Sequence, residues 1–286
     1  MNQNNSAQLS DMSSKNIAFI GGGNMAASLI GGLVADGYNP KRIIASDPDG
    51  EKLASLAARF GVITVADNEE AVSQADVVVI AVKPQIAEQV ARNLASAAQS
   101  KQPLIVSIVA GVRESDLQIW LGGDLALIRT MPNTPAMIQA GASVLHAGPG
   151  VSSDQKNLAE SILRAVGLTL WVDNEEKMDA VTALSGSGPA YLFLVMESME
   201  QAGIELGLPA ESARLLTLQT ALGAARMAME SSDGPATLRK KVTSPGGTTE
   251  AALAIMEQGG VRRLFTQALT GARDRSIELS KLLGNH

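Results

Sequence analysis

Two glycine-rich segments carry the residues best suited to chemistry. The first, Gly21-Gly22-Gly23-Asn24-Met25-Ala26, follows a short apolar run and precedes a helical one. Its Gly-x-Gly-x-x-Ala spacing suits a dinucleotide: Gly21 allows a tight turn, Gly23 admits a pyrophosphate, and Ala26 lets the helix pack closely on its strand. Backbone N–H groups at the start of that helix would hold the phosphates. The second segment is Val242-Thr243-Ser244-Pro245-Gly246-Gly247-Thr248-Thr249-Glu250, just before another helix. Ser244, the amides of Gly246 to Thr249 and both threonine hydroxyls make an anion pocket, better matched to a carboxylate than to a phosphate. The competing reading makes Thr248 or Thr249 a plain N-cap, with Glu250 in the favourable first turn.

Other segments have chemistry that depends on where the fold puts them. Asp47, in Ala45-Ser46-Asp47-Pro48, either bonds an adenosine ribose, as in NAD enzymes, or caps a helix beginning around Pro48. Ser46 and Asn68 instead suit the 2′-phosphate of NADP. Ala81-Val82-Lys83-Pro84 follows a strong strand; Lys83 either faces ribose or phosphate or is a solvated lysine, and Pro84 suits a helix start. In Met131-Pro132-Asn133-Thr134-Pro135 the prolines restrict the backbone, and Asn133 and Thr134 can orient a nicotinamide amide or simply belong to a rigid loop. Ser185-Gly186-Ser187-Gly188-Pro189-Ala190-Tyr191 reads as one helix ending and the next beginning. Tyr191 has no evident partner to deprotonate its phenol, so it is not assigned as a catalytic acid.

Composition narrows the chemistry further. The 286 residues include no cysteine and two histidines, His146 and His286, which excludes disulfides, thiolate clusters, a cysteine nucleophile and a three-histidine metal centre. A net charge of −6 argues against a whole-protein grip on nucleic acid. The apolar runs at 77–82 and 104–110 are far shorter than the roughly 18 residues of a membrane span. Residues 1–15, rich in Asn, Ser and Gln, form a disordered polar leader without the apolar core of a signal peptide, so a cytoplasmic location is expected.

The elements that must position these residues alternate regularly at first. Strands are predicted at 16–20, 43–46, 62–65, 77–82, 104–108 and 125–129, with helices between them, and further strands at 142–146 and 168–172 flank a helix ending near Val166. Uninterrupted runs such as Val77-Val78-Val79-Ile80-Ala81 fit interior parallel strands covered by helices on both faces. From Asn174 onward the strand signal vanishes and helices are predicted at 178–184, 190–206, 210–229, 250–256 and 261–283. The fold class is therefore α/β, with an N-terminal Rossmann-like doubly wound sheet over 16–173 and an all-α region over 174–286. Its Ala- and Leu-rich helices are apolar over more than one stripe, which favours an intertwined dimer.

Taken in this order, the quoted motifs resemble the pyrroline-5-carboxylate reductase family, over about residues 15–283. The resemblance rests on Phe19 to Ala26, Ala81 to Pro84, Met131 to Pro135, Leu184 to Tyr191 and, most specifically, Val242 to Ala252. It implies NAD(P)H-dependent reduction of 1-pyrroline-5-carboxylate to L-proline, with NADPH the first choice, NADH also admitted, and no metal. Cofactor contacts would fall on Gly21, Gly22, Gly23, Asn24, Met25, Ala26, Ser46, Asn68, Ala81, Val82, Lys83, Pro84 and Asn133. Substrate contacts would fall on Val242, Ser244, Gly246, Gly247, Thr248 and Thr249, with Thr249 the catalytic hydroxyl beside the imine nitrogen. It also implies a helical domain that binds substrate and is shared between two subunits, and assembly into dimers or decamers, with neither nucleic acid nor membrane as partner. The basic triplet Arg239-Lys240-Lys241 and the leader depart from the family pattern. A β-hydroxyacid dehydrogenase would share the element order, but Lys177 is poorly placed for its catalytic lysine; a dinucleotide sensor without turnover is the other alternative.

Overall fold

The computed structural model describes residues 14–284, so the leader, apart from Ser14 and Lys15, and His286 lie outside the described residues. By packing the chain divides into two units, Met1–Ser187 with Ala272–His286, and Gly188–Gly271.

The first unit is built on an eight-stranded sheet of order β3-β2-β1-β4-β5-β6-β7-β8. Its strands are β1 (Ile17–Ile20), β2 (Ile43–Ser46), β3 (Ile63–Val65), β4 (Val77–Ile80), β5 (Leu104–Ser107), β6 (Leu127–Met131), β7 (Gly141–Ala147) and β8 (Gly167–Trp171). The helices between them are α1 (Asn24–Ala35), α2 (Gly50–Phe60), α3 (Asn68–Ser73), α4 (Pro84–Lys101), α5 (Glu114–Trp120) and α6 (Ser153–Arg164), followed by α7 (Lys177–Val181). β1 alternates in the way a doubly covered strand must: Ile17 and Phe19 belong to one core cluster, Ala18 and Ile20 to the other. Phe19 packs with Leu29, Ile30 and Leu33 of α1, while Ile20 joins Leu94 of α4 and Trp120 of α5 on the opposite face. Each of these fully buried large side chains contributes roughly 2 kcal/mol of hydrophobic stabilisation.

One part of the sheet departs from the all-parallel expectation. β7 runs antiparallel to β6, and β8 then pairs parallel to β7. The cause is the connection: residues 132–140 hold only a short 3₁₀ turn (Thr134–Ile138), too little chain for a parallel crossover. Between β7 and β8 the longer α6 supplies the crossover, so that pair is parallel. Beyond α7 the helix widens into a π turn over Thr182–Gly186, closed by Ser187 N–H donating to Thr182 O at 2.8 Å, a geometry the sequence pattern does not announce.

The second unit is helical: α8 (Gly188–Glu205), α9 (Ala210–Glu230), α10 (Pro235–Lys241), α11 (Thr248–Gln258) and the first part of α12 (Val261–Leu283). α10 is absent from the periodicity reading, although Gly234-Pro235 at its start and Arg239-Lys240-Lys241 in its last turn are ordinary helix-end signals. At the α8–α9 corner, Gly203 leaves room for Ala213 and Leu208, which a Cβ there would meet at 3.3 and 3.5 Å. Across α8 and α9 only Ala213 and Thr217 are buried, whereas Phe193, Leu194, Leu215 and Leu222 are each more than half exposed.

The second half of α12 belongs to the sheet unit. There Ser276 donates to Asp179 Oδ1 at 2.7 Å, Arg113 reaches Asp179 Oδ2 at 3.4 Å and Arg113 Nε donates to Ser280 at 3.3 Å. α5, α7 and the chain's last helix are thereby tied together through groups far apart in sequence.

Candidate active site

The strand order reverses between β1 and β4, and the carboxyl ends of these strands carry Gly21 to Ala26 and Ala81 to Pro84. In open α/β sheets this is where a crevice opens for a ligand. The turn after β1 is held from both neighbours: Gly21 N–H donates to Ser46 O at 2.7 Å, and Ala81 N–H donates to Ile20 O at 2.8 Å. Gly21 has φ +103°, and a Cβ there would lie 2.5 Å from Ala81 O, so only glycine fits. Gly23 is different. It is the N-cap of α1 with extended backbone, no side chain caps the helix, and nothing lies within 4 Å of the position a Cβ would take. The result is an open helix N-terminus with free space above its first amides, the arrangement a pyrophosphate needs. Ala26 is buried under α1, as the close-packing role requires.

At the end of β2, Ser46 is fully buried and its hydroxyl donates to Asn68 Oδ1 at 2.7 Å, orienting an amide at the first turn of α3. Asp47 is not the helix cap that the Asp-Pro signal suggested: Asp49 caps α2, accepting from Glu51 N and Lys52 N. Asp47 turns inward and accepts from Gly22 N–H at 2.7 Å and Asp49 N–H at 2.9 Å, with Lys52 Nζ at 3.4 Å. Burial pushes its carboxyl up, but the two amides and Lys52 outweigh that and hold it below the usual carboxylate range. The Gly22 amide is accordingly already committed within the protein.

Lys83 is the N-cap residue of α4; its side chain is exposed and takes no ion pair among the described residues. Asn133 is placed differently. Its Oδ1 accepts from Ala142 N–H at 2.9 Å and its Nδ2 donates to Ser185 O at 3.3 Å, so the side chain braces the β6–β7 connection against the π turn. Lys177 is paired with Asp173 at 2.5 Å, in keeping with its poor placement for a dehydrogenase lysine.

In the second unit, the loop before α11 carries the other candidate residues. Gly247 rather than either threonine is the N-cap, and no side-chain oxygen bonds the first amides of the helix. Thr248 and Thr249 are the first two helical residues, exposed, and the Thr249 hydroxyl has no hydrogen-bond partner among the described residues. Gly246, at φ +70°, makes the turn, and its N–H donates to Glu250 Oε2 at 2.6 Å; Gly247 N–H donates to Ser244 O at 3.0 Å. Helix-start signals in the sequence find this loop, but the backward reach of Glu250 depends on a turn that only the fold forms. Val242 is exposed at the end of α10. Of the basic triplet, Arg239 pairs with Glu257 at 3.8 Å and Lys241 with Asp233.

Beneath the sheet end lies a buried charge cluster that motif analysis missed. Glu175 Oε1 accepts from Arg129 Nη1 at 2.5 Å and Glu114 N–H at 2.6 Å, and His146 Nε2 lies 3.9 Å from Glu114 Oε2. Burial and the neighbouring Glu175 raise the Glu114 carboxyl, whereas burial of Glu175 is outweighed by Arg129 and the Glu114 amide, which hold that carboxyl low. The two therefore act oppositely on stability. Glu114 contributes most below its unfolded pKa, about 4.3, and the contribution is lost as pH rises through its raised native value; Glu175 contributes above about pH 4.3 and loses it on acidification. Glu114→Gln is expected to raise the melting temperature at pH 7 but not at pH 4, in paired thermal melts.

Together these features define a class of protein: a Rossmann-type NADP oxidoreductase domain joined to a helical partner domain. Residues 16–111 match the family model described as NADP oxidoreductase, coenzyme F420-dependent, and residues 175–279 match that for pyrroline-5-carboxylate reductase dimerisation. The chain belongs to the pyrroline-5-carboxylate reductase family. It is 53% identical over 273 residues to the pyrroline-5-carboxylate reductase of Pseudomonas aeruginosa, covering 96% of this chain and 100% of the relative. Among solved structures, a pyrroline-5-carboxylate reductase of Coxiella burnetii has TM-score 0.90 and 48% identity, covering 94% of this chain and 99% of that one. The pyrroline carboxylate reductase of Plasmodium falciparum, solved with NADP bound, has TM-score 0.84 and 28% identity, over 94% of this chain and 99% of its own.

Proposed function

We propose that this protein reduces 1-pyrroline-5-carboxylate to L-proline, the last step of proline biosynthesis, with NADPH preferred and NADH accepted. The observation that carries the reading is 53% identity to a named reductase across 96% of the chain. Residues 16–173 bind the dinucleotide, and residues 174–286 bind substrate and form the dimer.

The bound nicotinamide supplies the hydride that reduces the imine carbon. The chain supplies position and charge. Amides and space at Gly21 to Ala26 suit the pyrophosphate, with Gly22 contributing through its backbone shape because its N–H is already bonded to Asp47. Asn68, its amide oriented by the buried Ser46 hydroxyl, takes the 2′-phosphate, Ala81 to Pro84 and the Asn133 loop border the ribose and nicotinamide, and Lys83 brings a flexible positive charge. Val242, Ser244 and Thr248 bind the substrate carboxylate, with Gly246 and Gly247 contributing the shape of the turn because their N–H groups are already bonded to Glu250 and Ser244, supported by the uncapped first turn of α11. Thr249 orients the imine nitrogen, and hydride transfer to a protonated imine needs neither a metal nor a covalent nucleophile.

The direct test is absorbance loss from NADPH or NADH with 1-pyrroline-5-carboxylate, alongside measured proline. Absence of proline at saturation overturns the function, and a strong NADH preference overturns the cofactor assignment. Thr249→Ala is expected to lower kcat about tenfold, the value of one hydrogen bond of ~1.4 kcal/mol, while leaving the dinucleotide KM within twofold. An unchanged kcat removes Thr249 from the reaction.

The exposed apolar residues of α8 and α9 support a homodimer through these helices, with decamers of five dimers as the larger assembly. Light scattering returning a monomer would overturn it. Among the described residues no helix is long and apolar enough to cross a membrane, and we assign a cytoplasmic location and no nucleic-acid partner.

A further inference from the structure

Three successive glycines, Gly21 to Gly23, have more backbone freedom than any other residues, so a turn made of them is pinned only by outside contacts. Gly21 is held by Ser46 O. The contact holding Gly22 is the carboxylate of Asp47, 7% exposed, at 2.7 Å. No side chain caps α1, and the helix itself holds only the far end of the turn, where Gly23 O accepts from Ala27 N–H at 2.9 Å.

We propose that Asp47 is a positioning residue for the dinucleotide: it fixes the Gly22 peptide, and through it the amides that meet the pyrophosphate, without touching the cofactor itself. The inference rests on the reading above that Gly21 to Ala26 holds the pyrophosphate. An acidic residue at the end of the second strand ordinarily accepts from the adenosine ribose and favours NAD. Here Oδ2 is taken by Gly22 N–H and Oδ1 by Asp49 N–H and Lys52. Both oxygens are engaged inside the protein, and two amides and an ammonium offset a charge that would otherwise repel phosphate. Asp47 thus serves NADPH and NADH equally, and the choice between them falls to Ser46 and Asn68.

Asp47→Asn keeps the shape but replaces one acceptor oxygen with an NH₂ that cannot accept from an amide. We expect the KM values for NADPH and NADH to rise together about tenfold, with kcat within twofold and the NADPH-to-NADH ratio of kcat/KM unchanged. A change confined to NADH would make Asp47 a ribose contact, and unchanged KM values for both would make it irrelevant; either overturns the proposal. Should the variant fail to fold, amide exchange in the unaltered protein decides. The Gly22 amide should be protected without cofactor, while Gly23 and Asn24 gain protection only when NADPH is added; equal exchange at Gly22 and Gly23 without cofactor overturns it. Gly23→Asp separates the two readings, because its side chain enters open space. If it leaves both KM values unchanged, the pyrophosphate assignment fails; if it raises both while Asp47→Asn does not, only the positioning role fails.

Discussion

Gly21→Ala is expected to raise the dinucleotide KM about a hundredfold, a loss of ~2.7 kcal/mol in cofactor binding. An alanine at φ +103° carries an intrinsic backbone cost of roughly 1–2 kcal/mol. The larger cost is steric. The added Cβ would lie 2.5 Å from Ala81 O and 2.9 Å from Ala81 C, both backbone atoms at the end of a central strand. Ala81 cannot give way cheaply, because its N–H is bonded to Ile20 O in the same crossing of strands. The turn must therefore move, carrying Gly22 and Gly23 away from the positions set by Ser46 O and Asp47. Initial rates with NADPH, read beside a thermal melt, check the result. A dinucleotide KM within threefold of the parent would show that the turn's backbone path does not set cofactor binding.

The second large effect concerns stability. Arg129→Met is expected to destabilise the sheet unit by about 3 kcal/mol, the cost of stranding a buried carboxylate. Arg129 keeps 9% of its side-chain surface and Glu175 20%, so the pair lies near the lower end of the range for fully buried pairs. Without Arg129, Glu175 faces Glu114 with the Glu114 amide and the nearby His146 left to hold its charge. Pairing the change with Glu175→Leu removes the stranded charge and should recover most of the loss. Urea midpoints of the two variants test this, and equal midpoints would show that the ion pair is not what holds this corner.

These two residues also mark how far the sequence could be read. Gly21 was legible because the reason for glycine is local: a turn between a strand and a helix leaves a pattern within six residues. The boundaries of β2, α5 and α12 were legible for the same reason, since apolar periodicity and end signals act within one element. Arg129 was not legible, because its partner lies 46 residues away and nothing in an Arg at a strand end specifies a buried ion pair. Asp47 illustrates the middle case. Its type and position announced a role, but two local rules competed, and the structure selected a third arrangement when Asp49 took the cap and Gly22 came within reach.

The sequence by itself determined the alternation of strands and helices, the glycine turn, the helical second half and the family, because each is written in short-range spacing or in a run of motifs. Tertiary structure alone decided that β7 turns back against β6, that Asn133 braces the π turn, that α12 ends against Asp179 and Arg113, and that Asp47 faces inward. The first follows from a connection too short for a parallel crossover; the other three depend on which hydrogen-bonding groups chain folded elsewhere brings within reach, because buried donors and acceptors must find partners wherever the fold supplies them.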